Sequence, residues 1–147
     1  MRKLLVLFGL LVSFQSDAAD CPIEISARLR PSTMVEIEFV VVNKGQETIE
    51  VRDTQLPWKD ADRLLVALLP KRGEPIQRLY GGGDALFSEP IALLPGEPLS
   101  GVVPIGDLFD IQDVPVPMAA VFFWHWTMEV TTGQSCPFGG WLDLSQR

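Results

Sequence analysis

Residues 119–130 read AAVFFWHWTMEV, and this stretch predicts the longest strand of the protein. Side chains on a strand alternate between the two faces of a sheet. One face of this strand then carries Phe122, Trp124 and Trp126, and the other carries Phe123, His125 and Thr127. We expect the first face in the core, because large aromatic side chains are usually buried. The second face, with Phe123 and His125, is a candidate exposed binding patch.

Alternation of the same kind continues outward from this strand along most of the chain. It is regular over residues 23–30, 35–42 and 48–52, which are predicted to be half-buried strands. Shorter strands are predicted over residues 64–69, 75–80, 91–94, 99–105 and 140–144. The first of these is a continuous apolar run and is expected to be a buried strand, with a helix over residues 59–69 as the alternative. Residues 106–113 are spaced for one helical turn.

Glycine and proline separate these segments about every 8–12 residues, a spacing typical of β-sandwiches. The 12 prolines fit edge strands and loops, because proline cannot donate to a strand ladder. A helical domain would accommodate them poorly. We therefore predict an all-β sandwich of about seven to nine strands, forming a single domain over residues 19–147.

The N-terminal segment has the order of a cleavable secretory signal peptide. Arg2 and Lys3 provide a positive start, residues 4–14 are almost all apolar, and a small polar exit follows. The apolar run is too short to span a bilayer, which takes about 20 residues. Cleavage is predicted after Ala18, so that residues 1–18 are removed and the mature domain is periplasmic or secreted. No transmembrane segment is predicted in the mature chain.

The chain has 2 cysteines, Cys21 and Cys136, which stand near the two ends of the mature domain. An even count in an exported chain predicts a disulfide. A bridge over a loop of this length would stabilise the fold by about 4 to 5 kcal/mol in the chain-entropy model, and it would pin the first strand to the last. The main alternative for Cys21 is a lipid anchor, although Asp20 and Ala18 are unusual residues for a lipoprotein signal.

The composition is acidic, with a formal net charge of −7. Removal of the signal peptide takes away Arg2, Lys3 and Asp17, which makes the mature domain more negative by one charge. Such a domain is repelled by nucleic acid and by anionic lipid. We therefore expect no nucleic-acid partner.

The middle of the chain resembles small bacterial immunoglobulin-like modules. The resemblance runs from Val35 to about Asp110 and rests on strand order and turn residues. Its motifs are Val42-Asn43-x-Gly45, Leu56-Pro57-Trp58, a hairpin around Gly73 and Tyr80-Gly81, the turn Leu93-Leu94-Pro95-Gly96-Glu97, and Asp107-Leu108-Phe109-Asp110. It is similar to the proteinase-inhibitor-type domains of bacilli and to domains beside some secreted metalloproteases. The resemblance implies an immunoglobulin-like sandwich and assigns no functional residue.

Residues for catalysis or metal binding are scarce. His125 is the 1 histidine of the chain, and no serine lies in a nucleophile-elbow motif. One histidine and two bridged cysteines do not supply a zinc site, so no catalytic residue, metal or cofactor is expected. Asp107, Asp110 and Asp113 recur every third residue and could offer oxygens to calcium, but the EF-hand spacing is absent and a solvated loop is the favoured interpretation.

Two further features are candidate binding residues besides Phe123 and His125. Trp58 follows a proline at a strand exit and is either an exposed contact or a lid over the end of the sandwich. The loop tip Gly81, Gly82, Gly83 and Asp84 is a candidate contact region, because loops often carry function.

These observations predict an exported, non-enzymatic binding module whose partner is another secreted or periplasmic protein. A proteinase inhibitor or chaperone-like domain is the specific version. The alternative is a structural or assembly component of the cell envelope that pairs through an edge strand. A hydrolase with two carboxylates is the third hypothesis.

Overall fold

Antiparallel strands dominate the structure, a computed structural model that describes residues 21–32, 34–79, 88–109, 111, 119–130 and 133–145. Its strands in these residues are β1 (Ile23–Leu29), β2 (Glu36–Asn43), β3 (Ile49–Arg52), β4 (Leu65–Pro70), β5 (Pro90–Leu93), β6 (Pro98–Pro104), β7 (Ala120–Glu129) and β8 (Ser135–Asp143). Two short 3-10 turns, Asp53–Gln55 and Ala61–Arg63, follow β3, and one helical turn, α1 (Ile105–Leu108), follows β6.

The strands form three antiparallel sheets in the described part of the chain. The β2 sheet has the order β1-β2-β6, and the β7 sheet has the order β4-β7-β8. The third sheet is the pair β3-β5. The prediction of a mostly β protein is therefore confirmed, and so is the one helical turn near residue 106.

The inner faces of the β2 and β7 sheets share one hydrophobic core. Ile37, Phe39 and Val41 of β2 are buried, as the alternation of that strand predicts. They face the aromatic side of β7, where Phe122, Trp124 and Trp126 are buried as expected. The rings of Phe39 and Trp124 meet edge to face, with centroids 5.3 Å apart. Such contacts between facing sheets are what hold a sandwich together.

Residues 64–69 were predicted to form a buried strand, and the prediction of burial is wrong for part of this segment. A strand, β4, does cover Leu65–Pro70. Leu64 and Leu68 are buried, but Leu65 and Leu69 are exposed. β4 belongs to a three-stranded sheet whose second face is open to solvent, so alternate leucines point outward.

The strand predicted over residues 75–80 is also not formed in the residues described, which end at 79 before the next gap. Two isolated bridges occur instead, between Leu68 and Ile76 and between Arg78 and Phe109. The segment leaves β4 because Leu79 N donates to Leu108 O at 2.9 Å. Its backbone therefore pairs first with β4 and then with the residues around α1.

The last strand starts earlier than predicted. β8 begins at Ser135 and not at Gly140, so Cys136 lies within the strand and does not precede it. Nine residues of β8 pair with β7, from Glu129↔Ser135 to Val121↔Asp143. Pro137 is accommodated because β8 is an outer strand of its sheet.

Candidate functional site

The predicted disulfide is present and joins the two ends of the described chain. Cys21 and Cys136 are bonded, with their Cα atoms 5.9 Å apart and a sequence separation of 115. Cys21 lies two residues before β1, and Cys136 lies in β8, so the bridge connects the β2 sheet to the β7 sheet. The expected link between the first and last strands is confirmed.

On the outer face of the β7 sheet, apolar side chains from three strands, β4, β7 and β8, lie side by side. Phe123 of β7 is paired with Ala67 of β4 on one side and with Trp141 of β8 on the other. Residues two positions away on each strand point to the same face. Leu65 and Leu69 therefore flank this row. We call the set Leu65, Ala67, Leu69, Phe123 and Trp141 the apolar face.

These side chains are open to solvent. Trp141 exposes 64% of its surface, Leu65 60%, Phe123 40% and Leu69 39%. If a side chain of this size has roughly 200 Å² of surface, the four together expose about 400 Å², within the size range of patches that are often functional. The prediction that Phe123 lies opposite the buried aromatics is confirmed.

The apolar face borders two polar groups. At one end His125 lies between Leu65 and Gly139 in the register, and its Nε2 is 3.4 Å from Thr127 Oγ1. At the other end, Lys71 Nζ donates to Asp143 Oδ2 at 3.1 Å and to Ser145 Oγ at 2.7 Å. An apolar centre with a polar rim is the usual anatomy of a protein interface.

The cluster at Asp143 is held by several hydrogen bonds. Ser145 Oγ donates to Asp143 Oδ1 at 2.5 Å, and Ser145 N donates to the same oxygen at 3.0 Å. These bonds, with a smaller contribution from Lys71, lower the pKa of Asp143 to about 2. The ion pair between Lys71 and Asp143 ties the residue after β4 to the end of β8.

The outer face of the β2 sheet has a different chemistry. Arg28 Nε and Glu38 Oε2 form an ion pair at 2.6 Å across β1 and β2, and this hydrogen bond lowers the pKa of Glu38. Arg30 and Glu36 are 3.9 Å apart beside it. The two outer faces of the molecule are therefore unlike, one crossed by ion pairs and the other apolar at its centre.

Trp58 lies away from the apolar face. It is half-buried and packs against the hydrophobic core. Its indole ring covers the backbone of Gly101 in β6, on the inner side of the β2 sheet. Of the two alternatives for Trp58, this position fits a lid over the sandwich better than an exposed contact.

The remaining candidate residues are not brought to this site. Gly81, Gly82, Gly83 and Asp84 lie outside the described residues, as do Asp110 and Asp113. Asp107 is exposed on α1. Among the residues described, no group of three or more His, Cys, Asp or Glu is arranged to hold a metal ion. In the same residues, no helix combines the length and the apolar character needed to cross a membrane.

Phe123 and His125 were predicted from the sequence as candidate binding residues, whereas Leu65, Leu69 and Trp141 were not. The signal for Trp141 was present, because Trp141 and Gly139 alternate with Gly140 and Leu142 along a strand. Its face depends on the register with β7, however, and that register is not local in sequence. The residues that form the patch are therefore visible only when β4, β7 and β8 are aligned.

The structure defines a disulfide-bridged, antiparallel β-protein with one apolar outer face. Comparisons of the chain with protein-family models, with curated proteins and with solved structures find no match.

Proposed function

We propose that the protein is an exported, non-enzymatic binding module that contacts another secreted or periplasmic protein through the apolar face. The observation that carries this proposal is the exposure of Trp141, Leu65 and Phe123 on one side of a strongly acidic chain. Tryptophan and other large aromatic side chains dominate the energy of protein interfaces. A partner would remove this apolar surface from water and satisfy the polar rim at its edge.

Export is supported by the N-terminal segment and by the bridge between Cys21 and Cys136. Disulfides persist in oxidising compartments such as the periplasm and the extracellular space. A partner in the same compartment follows from this proposal.

The strand order supports an immunoglobulin-like sandwich. In that fold, strands A, B and E share one sheet, and strands C, F and G share the other. The orders β1-β2-β6 and β4-β7-β8 reproduce both sets when β3 is taken as an insertion. There are two departures: β5 pairs with β3 and not with β6, and the disulfide joins the first and last strands. The resemblance to proteinase-inhibitor-type domains thus favours an inhibitor or chaperone-like role as the specific version, by analogy of fold alone.

A photo-crosslinking experiment in the exporting cell tests the proposal. A benzophenone amino acid replaces Thr127, an exposed residue beside the apolar face, and leaves Trp141, Leu65 and Phe123 intact. A second chain carries the probe at Ser26, which is exposed on the opposite side of the sandwich. We expect a discrete adduct with a second protein from position 127 and none from position 26.

Substitutions on the same probe chain make the test specific. Leu65→Ser should remove most of the adduct, because it removes part of the apolar face. Met34→Ser is the matched control, since Met34 is an equally exposed apolar residue elsewhere. An adduct that both variants leave unchanged would contradict the proposal, as would no adduct. An adduct only between two copies of this chain would favour the envelope-assembly alternative.

A further inference from the structure

A cleft of about 430 Å³ lies at one end of the sandwich, away from the apolar face. Three parts of the chain meet there: Pro22 before β1, the turn between β2 and β3, and Val130 with Gln134 between β7 and β8. The described residues that line it are Pro22, Gly45, Gln46, Glu47, Thr48, Ile49, Val130 and Gln134. Its volume lies in the range of pockets that bind small molecules or single side chains, about 300 to 1,000 Å³.

The side chain of Asn43, which is fully buried, holds the turn that forms one wall of the cleft. Asn43 Nδ2 donates to Glu47 O at 2.7 Å and to Leu93 O at 2.9 Å, and Gly45 N donates to Asn43 Oδ1 at 2.8 Å. Lys44 N donates to Pro22 O at 2.6 Å, which joins this turn to the residue beside the disulfide. The wall that the turn between β2 and β3 provides is therefore held by hydrogen bonds before any ligand arrives, which reduces the cost of ordering on binding.

The chemistry of the lining is apolar on one part and acidic on another. Pro22 and Ile49, both half-buried, provide apolar surface, whereas Val130 is buried. Glu47 is the charged residue among the described lining residues, and its carboxylate forms no ion pair or hydrogen bond there. The neighbouring Lys44 is paired with Glu24 at 3.1 Å. A cation that enters the cleft therefore finds one carboxylate without a competing partner.

From this geometry we infer that the cleft binds a basic side chain, lysine or arginine, presented by a second polypeptide. The long aliphatic stem of such a side chain packs on apolar surface while its charged end stays near a carboxylate and water. Pro22 and Ile49 offer the surface for the stem, and the exposed Glu47 offers the counter-charge. The net charge of −7 also attracts basic segments. This site is separate from the apolar face and does not depend on the function proposed above.

An NMR titration of the disulfide-bonded mature domain tests the inference. The probe is the peptide acetyl-Gly-Gly-Arg-Gly-Gly-amide. We expect saturable shifts of the amide signals of Gly45, Thr48 and Gln134 at millimolar peptide, with the signals of Phe123 and Trp141 unchanged. The same peptide with citrulline in place of arginine keeps the shape without the charge, and it should bind several-fold more weakly.

Variants distinguish the carboxylate from a general acidic field. Glu47→Gln should weaken binding about two- to fivefold, the size expected for one partly exposed ion pair. Glu50→Gln is the control, because Glu50 is exposed on β3 and does not line the cleft. The inference fails if arginine and citrulline peptides bind equally, if Glu47→Gln binds as tightly as the parent, or if no saturable shift occurs. A shift confined to the apolar face would also overturn it.

Discussion

The indole ring of Trp58 lies directly against the backbone of Gly101, in the space where a Cβ atom of any other residue would stand. A methyl group at Gly101 would collide with three atoms of the indole. The contact joins the loop after β3 to an inner position of β6. It therefore needs a glycine for close approach, although Gly101 has no positive φ.

Gly101→Ala is expected to destabilise the protein by about 1 to 3 kcal/mol, the usual cost of overpacking a filled site. Urea unfolding followed by far-UV circular dichroism measures this loss. Gly106→Ala is the control, because a Cβ there meets no atom within 4 Å. The double variant Trp58→Leu, Gly101→Ala should lose less than the sum of its single variants. Equal stability of Gly101→Ala and Gly106→Ala would contradict the account.

A structural feature could be predicted from the sequence only where it depends on residues close together in the chain. The faces of β7 were predictable, because one side of that strand meets the core and the other meets solvent, which imposes a period of two. The exposure of Leu65 was not, since a continuous apolar run has no such period. The contact of Gly101 with Trp58 could not be predicted either, because Trp58 lies in a loop whose path depends on the packed core.

In the candidate site, too, only the features that depend on one strand could be predicted. Phe123 and His125 were identified from the alternation of one strand. Trp141 joins them only through the register Phe123↔Trp141 between β7 and β8. The bridge between Cys21 and Cys136 was predictable for another reason, because two cysteines permit a single pairing.

Asn43→Ala is expected to cost about 2 to 4 kcal/mol of stability, because it leaves buried backbone groups without partners. The carbonyls of Glu47 and Leu93 would lose their donor, and Gly45 N would lose its acceptor. Gln46→Ala, in the same turn but exposed, should change stability by less than about 0.5 kcal/mol. Unfolding in urea compares the two, and similar losses would show that the buried amide is not the cause.

Reduction of the Cys21–Cys136 bridge is expected to lower stability by about 4 to 5 kcal/mol, because a loop closed over 115 residues loses its constraint in the unfolded chain. The double variant Cys21→Ser, Cys136→Ala should match the reduced protein in urea unfolding. Mass measurement with and without reductant should differ by two hydrogens. A mass that does not change on reduction would contradict the bridge.

Stability should fall in acid partly because of Asp143. Its pKa is lowered from 3.8 to about 2 in the folded protein, first by the Ser145 hydroxyl, then by the Ser145 amide and by Lys71. A carboxyl group with a depressed folded pKa contributes stability that is complete above its unfolded pKa and is lost as pH falls towards the folded pKa. Asp143→Asn should therefore flatten the dependence of unfolding free energy on pH between 3.8 and about 2.

The low pKa of Asp143 depends first on the Ser145 hydroxyl, which can be tested directly. Ser145→Ala should raise the pKa of Asp143, followed by NMR of its side-chain carboxyl carbon, because the Ser145 hydroxyl is the largest single cause that lowers this pKa. High salt should change the parent pKa little, because a hydrogen bond from a neutral hydroxyl is screened less than an ion pair. For Asp143→Asn, the control for the loss of one acid is Glu50→Gln, at an exposed position of β3. An unchanged pKa of Asp143 in Ser145→Ala, or a strong salt dependence, would mean that the ion pair with Lys71 and not Ser145 holds the carboxylate charged.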